Sequence, residues 1–203
     1  MTQDASFPRF VSLACHDLRT PLATVHGFAR TLDRLDSLPE RTSRYLEMIA
    51  AASAEMAELL DQLSLVARIE SGRYDPQRTA VDSLELAESA AQLAGGEVTV
   101  RGKGARVHVE REATERGVAA FARCALRHGD DEHLTIEVEG ARLRLSPIGE
   151  SVAPIITGEE LRDLGAAAAM RFVAAVGGSV AVDGDALDIE FPATSAAATA
   201  DGP

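Results

Sequence analysis

A chain of 203 residues with a formal net charge of −12, 46% of it hydrophobic and 26% charged, suits one ordinary domain or two small ones with enough chain for a real core. That acidity excludes a nucleic-acid partner gripped through its phosphates, which needs clustered cations. No apolar run is long enough to span a membrane and no signal pattern opens the chain, so a cytoplasmic protein without membrane contact is expected. Cys15 and Cys124 have neither metal spacing nor a framework partner and read as reduced, packed thiols.

Charge is unevenly divided. Residues 1–74 hold 8 basic and 10 acidic side chains, which leaves −10 of the −12 to the remainder, where it serves solubility. The first predicted element is a helix capped by Asp4 and running to about Asp36. Phe7, Val11, Ala14, Leu18, Val25, Phe28, Leu32 and Leu35 recur at helical spacing and make one face apolar. His16 stands two residues from both Ala14 and Leu18, a rotation of roughly 200° each way, so its imidazole is expected to point to water. Pro21 removes the donor that would bond the carbonyl of Asp17 and loosens the helix one turn past the histidine. Ser37, Pro39 and Glu40 then read as cap, first turn and capping box of a second helix. Its residues Tyr45, Ile49, Ala52, Met56, Leu59, Leu63 and Val66 alternate steps of four and three, a heptad seam. Gly72 closes it, with Pro76 beyond. Two such helices joined by a short loop make an antiparallel hairpin. A lone hairpin leaves apolar stripes uncovered, so either two hairpins pair into a four-helix bundle or the stripe packs on the chain's own second half; the homodimer is the favoured expectation.

His16-Asp17-Leu18-Arg19-Thr20-Pro21-Leu22, preceded by Phe10-Val11-Ser12 and followed by Gly27-Phe28, resembles the phospho-acceptor box of bacterial sensor histidine kinases. Ala67 to Tyr74, ARIESGRY, extends that resemblance through the second helix. The resemblance implies that His16 accepts a phosphoryl group, that Asp17 is its acid/base neighbour, and that Thr20 places water for dephosphorylating a partner. Arg19 could contact the phosphoryl group or simply be a solvated side chain on an exposed face.

From Val81 onward the period changes. Asp82 and Glu85 predict a capped helix to about Ala94, and Glu97 to Val100 alternate like a strand. Arg101-Gly102-Lys103-Gly104 reads as a hairpin turn into a second strand, Arg106 to Glu110; a phosphate-cradling role is weak because no helix follows. A helix from about Thr114 to Arg127, strands His133 to Val138 and Arg142 to Leu145, a helix capped by Thr157 and Glu160 that reaches Val176, and a closing hairpin of Ser179 to Val182 with Leu187 to Phe191 complete the pattern. The predicted class is α+β: a helical hairpin over residues 1–74, a two-layer α/β sandwich over 75–192, and a patternless tail, 193–203, expected to be disordered.

The order of these later elements resembles the ATP-binding domain of the same kinases, and the resemblance fails at the chemistry. Cys124 stands where the family has an asparagine that helps hold magnesium and phosphates, and thiol is a poor ligand for a hard cation. Ser146-Pro147-Ile148-Gly149 offers no carboxylate where an aspartate reads adenine. Asp163-Leu164-Gly165-Ala166 puts a negative charge where the first phosphate-covering glycine belongs, and the stretch from Gly149 to Gly165 is short for a lid. His128 and the glycine pair Gly177-Gly178 match the family and read as structural.

The expectation is therefore a dimeric histidine phosphotransferase. His16 exchanges a phosphoryl group with the aspartate of response-regulator receiver domains, without ATP-dependent autophosphorylation. The chain itself is expected to bind no cofactor and no metal; magnesium is expected on the receiver partner. The alternatives are a non-catalytic receiver-binding pseudokinase or receiver phosphatase, and a histidine kinase with an atypical nucleotide site.

Overall fold

The computed structural model describes residues 6–34 and 38–192. The expected caps Asp4 and Ser37, the stripe residue Leu35, the expected first-helix end at Asp36 and the tail 193–203 lie outside the described residues. The chain divides into two compact units, Met1–Tyr74 and Asp75–Pro203.

The first unit is a hairpin of α1 (Ser6–Asp33) and α2 (Glu40–Glu70). Pro21 lies inside α1 without ending it. Pro39 is the residue before α2 rather than part of its first turn: its φ of −56° and ψ of 138° are the extended conformation proline favours. Its carbonyl accepts the N–H groups of Thr42 and Ser43 at 2.7 and 3.2 Å, so no side-chain cap is needed to start the helix. Gly72, at φ +65°, ends α2 in the left-handed region as expected.

The face that the two helices turn toward each other is built from small residues. Cys15, Ala29, Ala50, Ser53 and Ala67 are buried, and their short side chains let the backbones approach closely. Ser53 satisfies its hydroxyl by donating to the Ile49 carbonyl at 2.7 Å, and His26 Nδ1 lies 3.2 Å from the Ala50 carbonyl oxygen across the pair. Most large apolar residues of the predicted stripes are on the outside, Phe7 (71% exposed), Leu18, Val25, Phe28 (67%) and Leu32 on α1 and Tyr45, Ile49, Met56 and Leu59 on α2, while Val11, Leu63 and Val66 are half-buried.

The second unit is a two-layer sandwich. Its five-stranded sheet has the order β2-β4-β5-β7-β6, formed by β2 (Glu97–Gly104), β4 (His133–Gly140), β5 (Arg142–Ser146), β6 (Ser179–Asp183) and β7 (Ala186–Glu190). β2 and β4 run parallel and the other neighbours antiparallel. Helices α3 (Ser83–Ala94), α4 (Arg111–His128) and α6 (Leu164–Ala175) bury Leu86, Phe121 and Phe172. Leu134, Ile136, Leu143, Leu145, Leu187 and Ile189 supply the buried side of the strands. The alternate strand positions carry Arg142, Arg144 and Asp188, with Arg142 Nε donating to Asp188 Oδ1 at 3.0 Å, so the two sides of the sheet separate by the two-residue period of a strand.

Three expectations are corrected. Arg101 to Gly104 do not turn: β2 runs through them, and β3 (Arg106–Val109) pairs antiparallel with β1 (Thr79–Asp82), a strand the sequence reading did not place. The glycines serve close approach instead. Gly102 has φ +120°, and a Cβ there would collide with the backbone of Val138 on β4; a Cβ at Gly104 would collide with the Asp82 carboxylate. Second, Thr157 ends a short helix, α5 (Ala153–Thr157), rather than capping a long one. Gly158 at φ +81° stops it, and α6 begins afresh with Asp163 Oδ1 accepting the Ala166 N–H at 2.9 Å. Third, Asp82 caps α3 through the Leu84 N–H at 2.8 Å, not through a reciprocal box with Glu85. Next to that cap the buried Ser83 donates to the Gly140 carbonyl and accepts the Ala105 N–H, fastening α3 to the sheet.

Candidate functional site

His16 lies near the middle of α1, and its side chain is 76% exposed, as the helical spacing requires. Its neighbour Cys15 is buried at the helix pairing, so successive residues divide between interior and solvent. Burial pushes the Cys15 thiol above its ordinary value, with the Arg19 guanidinium pulling the other way. His16 Nδ1 stands 3.1 Å from Asp17 Oδ1. A carboxylate can only accept, so in this contact Nδ1 carries the hydrogen. With the hydrogen on Nδ1, a neutral imidazole has its lone pair on Nε2, which makes Nε2 the candidate nucleophile.

Thr20 lies one helical turn beyond His16. Together with Arg19, Ala23 and Thr24 they line a shallow, open depression on the helix surface. The Thr20 carbonyl, which Thr24 Oγ1 approaches as donor at 3.1 Å, belongs to the turn just above the histidine. Arg19 is not simply solvated: its Nη2 donates to Asp61 Oδ1 of α2 at 2.7 Å. With both partners about half exposed, 45% and 50%, that pair is worth no more than about 1 kcal/mol. Arg19 can therefore leave Asp61 for an incoming anion at small cost. The Asp61 partner went unseen in the sequence because it lies 42 positions away and no periodicity connects the two.

In the second unit Cys124 is fully buried near the end of α4. Burial, with the Asp163 carboxylate close by, pushes its thiol up to about 12, against the opposing pull of Arg127. His128 lies one turn further along α4, and Asp163 is the cap of α6. One ligand atom from each of these three side chains lies within 4.8 Å of the others. In the sequence only the helical i, i+4 step from Cys124 to His128 connects two of the three; Asp163 lies on another element.

Residues 9–72 match the model of the His Kinase A (phospho-acceptor) domain. Among curated proteins the chain is 32% identical over 113 residues to the probable sensor histidine kinase TcrY of Mycobacterium tuberculosis, covering 49% of this chain and 24% of that protein. Residues 9–72 therefore carry a phospho-acceptor domain of the histidine kinase type. Two solved structures share the chain's fold: full-length ShkA in complex with AMPPNP, with a TM-score of 0.67, 21% identity and coverage of 94% of this chain and 47% of that one; and the Acinetobacter baumannii histidine kinase AdeS, with a TM-score of 0.55, 17% identity and coverage of 89% and 98%. The match to the phospho-acceptor model includes His16, Asp17, Arg19 and Thr20. The chain spans about a quarter of the length of the curated relative. Among the described residues no helix is long and apolar enough to cross a membrane.

Proposed function

We propose that this chain is a histidine phosphotransferase of two-component signalling, exchanging a phosphoryl group between His16 and the aspartate of response-regulator receiver domains without phosphorylating itself from ATP. The observation that carries this reading is the contrast between two sites. His16 is exposed, backed by a carboxylate, and flanked by a small polar residue and a cation. At the position where the family resemblance calls for an oxygen ligand to magnesium, a buried thiol stands instead.

In the transfer, the Nε2 lone pair forms the N–P bond as the P–O bond to the receiver's aspartate breaks, and that aspartate leaves as a carboxylate. Asp17 holds the Nδ1–H and offsets the positive charge that develops on the ring. Arg19, released from Asp61, steadies the phosphoryl oxygens. Magnesium comes with the receiver, and the step depends chiefly on positioning. The exposed stripes of α1 and α2 support a homodimer in which two hairpins close a four-helix bundle.

The test is phosphotransfer with labelled phosphate, the full chain being incubated separately with magnesium-ATP and with a panel of phosphorylated receivers. Label reaching the chain from a receiver, lost in His16→Ala, is expected. Label from ATP alone would instead make it an autonomous kinase. Loss of phosphate from the receiver, with none retained on the chain, would make it a receiver phosphatase acting through Thr20.

A further inference from the structure

We propose that Cys124, His128 and Asp163 form a zinc site in the second unit, with sulfur, nitrogen and oxygen ligands and a fourth position open to solvent or a further donor. Two observations support it independently. The first is the convergence of three ligand types from two elements, all within 4.8 Å. His128 Nε2 and Asp163 Oδ2 are 3.5 Å apart, close to the roughly 3.4 Å that separates two ligands held at about 2.0–2.1 Å from a tetrahedral ion. The second is an orphan. His128 Nε2 is buried and has no hydrogen-bond partner, which costs free energy unless something binds there.

The carboxylate is already divided between two duties. Asp163 Oδ1 accepts the Ala166 N–H and caps α6, leaving Oδ2 as the oxygen that faces His128 and, at 3.6 Å, the Arg127 guanidinium. One oxygen can thus ligate while the other keeps the cap. Neutralisation of the capping carboxylate by Arg127 accounts for the 3.6 Å contact and still leaves His128 Nε2 without a hydrogen-bond partner.

The donor set selects the metal. A thiolate disfavours magnesium and calcium, which seek oxygen, whereas zinc accepts sulfur, imidazole and carboxylate together. On binding, Cys124 Sγ gives its proton to solvent. Thiolate and carboxylate then carry two negative charges against the two positive charges of the ion, so the buried site is neutral. The bound ion would tie the end of α4 to the start of α6, holding a clamp where the family resemblance places nucleotide contacts.

The test uses the full chain stripped with chelator, loaded with zinc alone, desalted, and assayed for retained metal and thermal stability. A single retained equivalent and a rise of about 5 °C or more in melting temperature are expected. Cobalt(II) substitution should give the intense visible absorption of a tetrahedral ion together with a thiolate charge-transfer band. That band should survive Cys15→Ala and vanish in Cys124→Ala. Asp163→Asn preserves a good helix cap and so keeps the fold; it should weaken zinc, in competition with a chromophoric chelator, by more than the roughly hundredfold that an outer-sphere partner can carry. Absence of retained zinc, a charge-transfer band that persists without Cys124, or wild-type zinc affinity in both Asp163→Asn and His128→Ala would each overturn the proposal.

Discussion

At the scale of single residues, the chemistry of His16 depends on its immediate neighbour. Asp17 Oδ1, at 3.1 Å from Nδ1, selects the tautomer and leaves Nε2 available. Asp17→Asn keeps an acceptor but removes the charge that offsets the developing imidazolium. Solvent exposure of this pair holds its effect to about 1 kcal/mol or less. Phosphotransfer from a receiver should slow by up to about fivefold, with receiver affinity unchanged, as rapid-quench kinetics and a separate binding titration would read. An equal loss of rate and of binding would instead assign Asp17 to docking.

At the scale of elements, the clearest departure from sequence expectation is β2. Its two glycines carry the signature of a turn, yet the strand continues because Gly102 and Gly104 pass against other chain segments with no room for a side chain. Gly102↔Val138 and Gly104↔Gly140 are registered neighbours in the parallel pair. Gly102→Ala should therefore destabilise the second unit by more than the roughly 0.5–1 kcal/mol that glycine alone costs a strand in the other direction. A denaturant titration following that unit should show a lower midpoint. Gly184→Ala, in the β6-β7 turn with open space around it, should cost only the strain of its positive φ. The α5-α6 break has a similar cause: a left-handed glycine and an aspartate with a backbone N–H to accept decide where helices start, over the weaker threonine cap.

At the scale of the whole molecule, the hairpin divides its apolar residues in a way that argues for association. Small side chains fill the space between α1 and α2, and large ones such as Phe28 and Leu32 face outward. Each large side chain left in water forgoes about 1.5–3 kcal/mol, and a self-complementary pairing of two hairpins would recover it. Phe28→Glu should shift the full chain to monomer in sedimentation velocity while leaving the circular dichroism of the helices unchanged. A wild-type chain that already sediments as a monomer would remove the bundle from the proposed function.

What the sequence determined by itself was local. Helical periodicity was enough to put His16 in water and the large apolar residues on shared stripes, because the 3.6-residue repeat acts within a few turns. Capping aspartate and terminal glycine marked the ends of α3, α2 and α6 for the same reason. The tertiary structure decided what depends on segments far apart in the chain: that small residues rather than the stripes join α1 to α2, that Arg19 pairs with Asp61, and that β3 finds β1 instead of β2. It also brought Asp163, from the start of α6, to the Cys124 and His128 of α4. Three residues that read singly as a substitution, a helix end and a misplaced charge become one coordination sphere only when the chain has folded, because ligation depends on distance in space and not on separation in sequence.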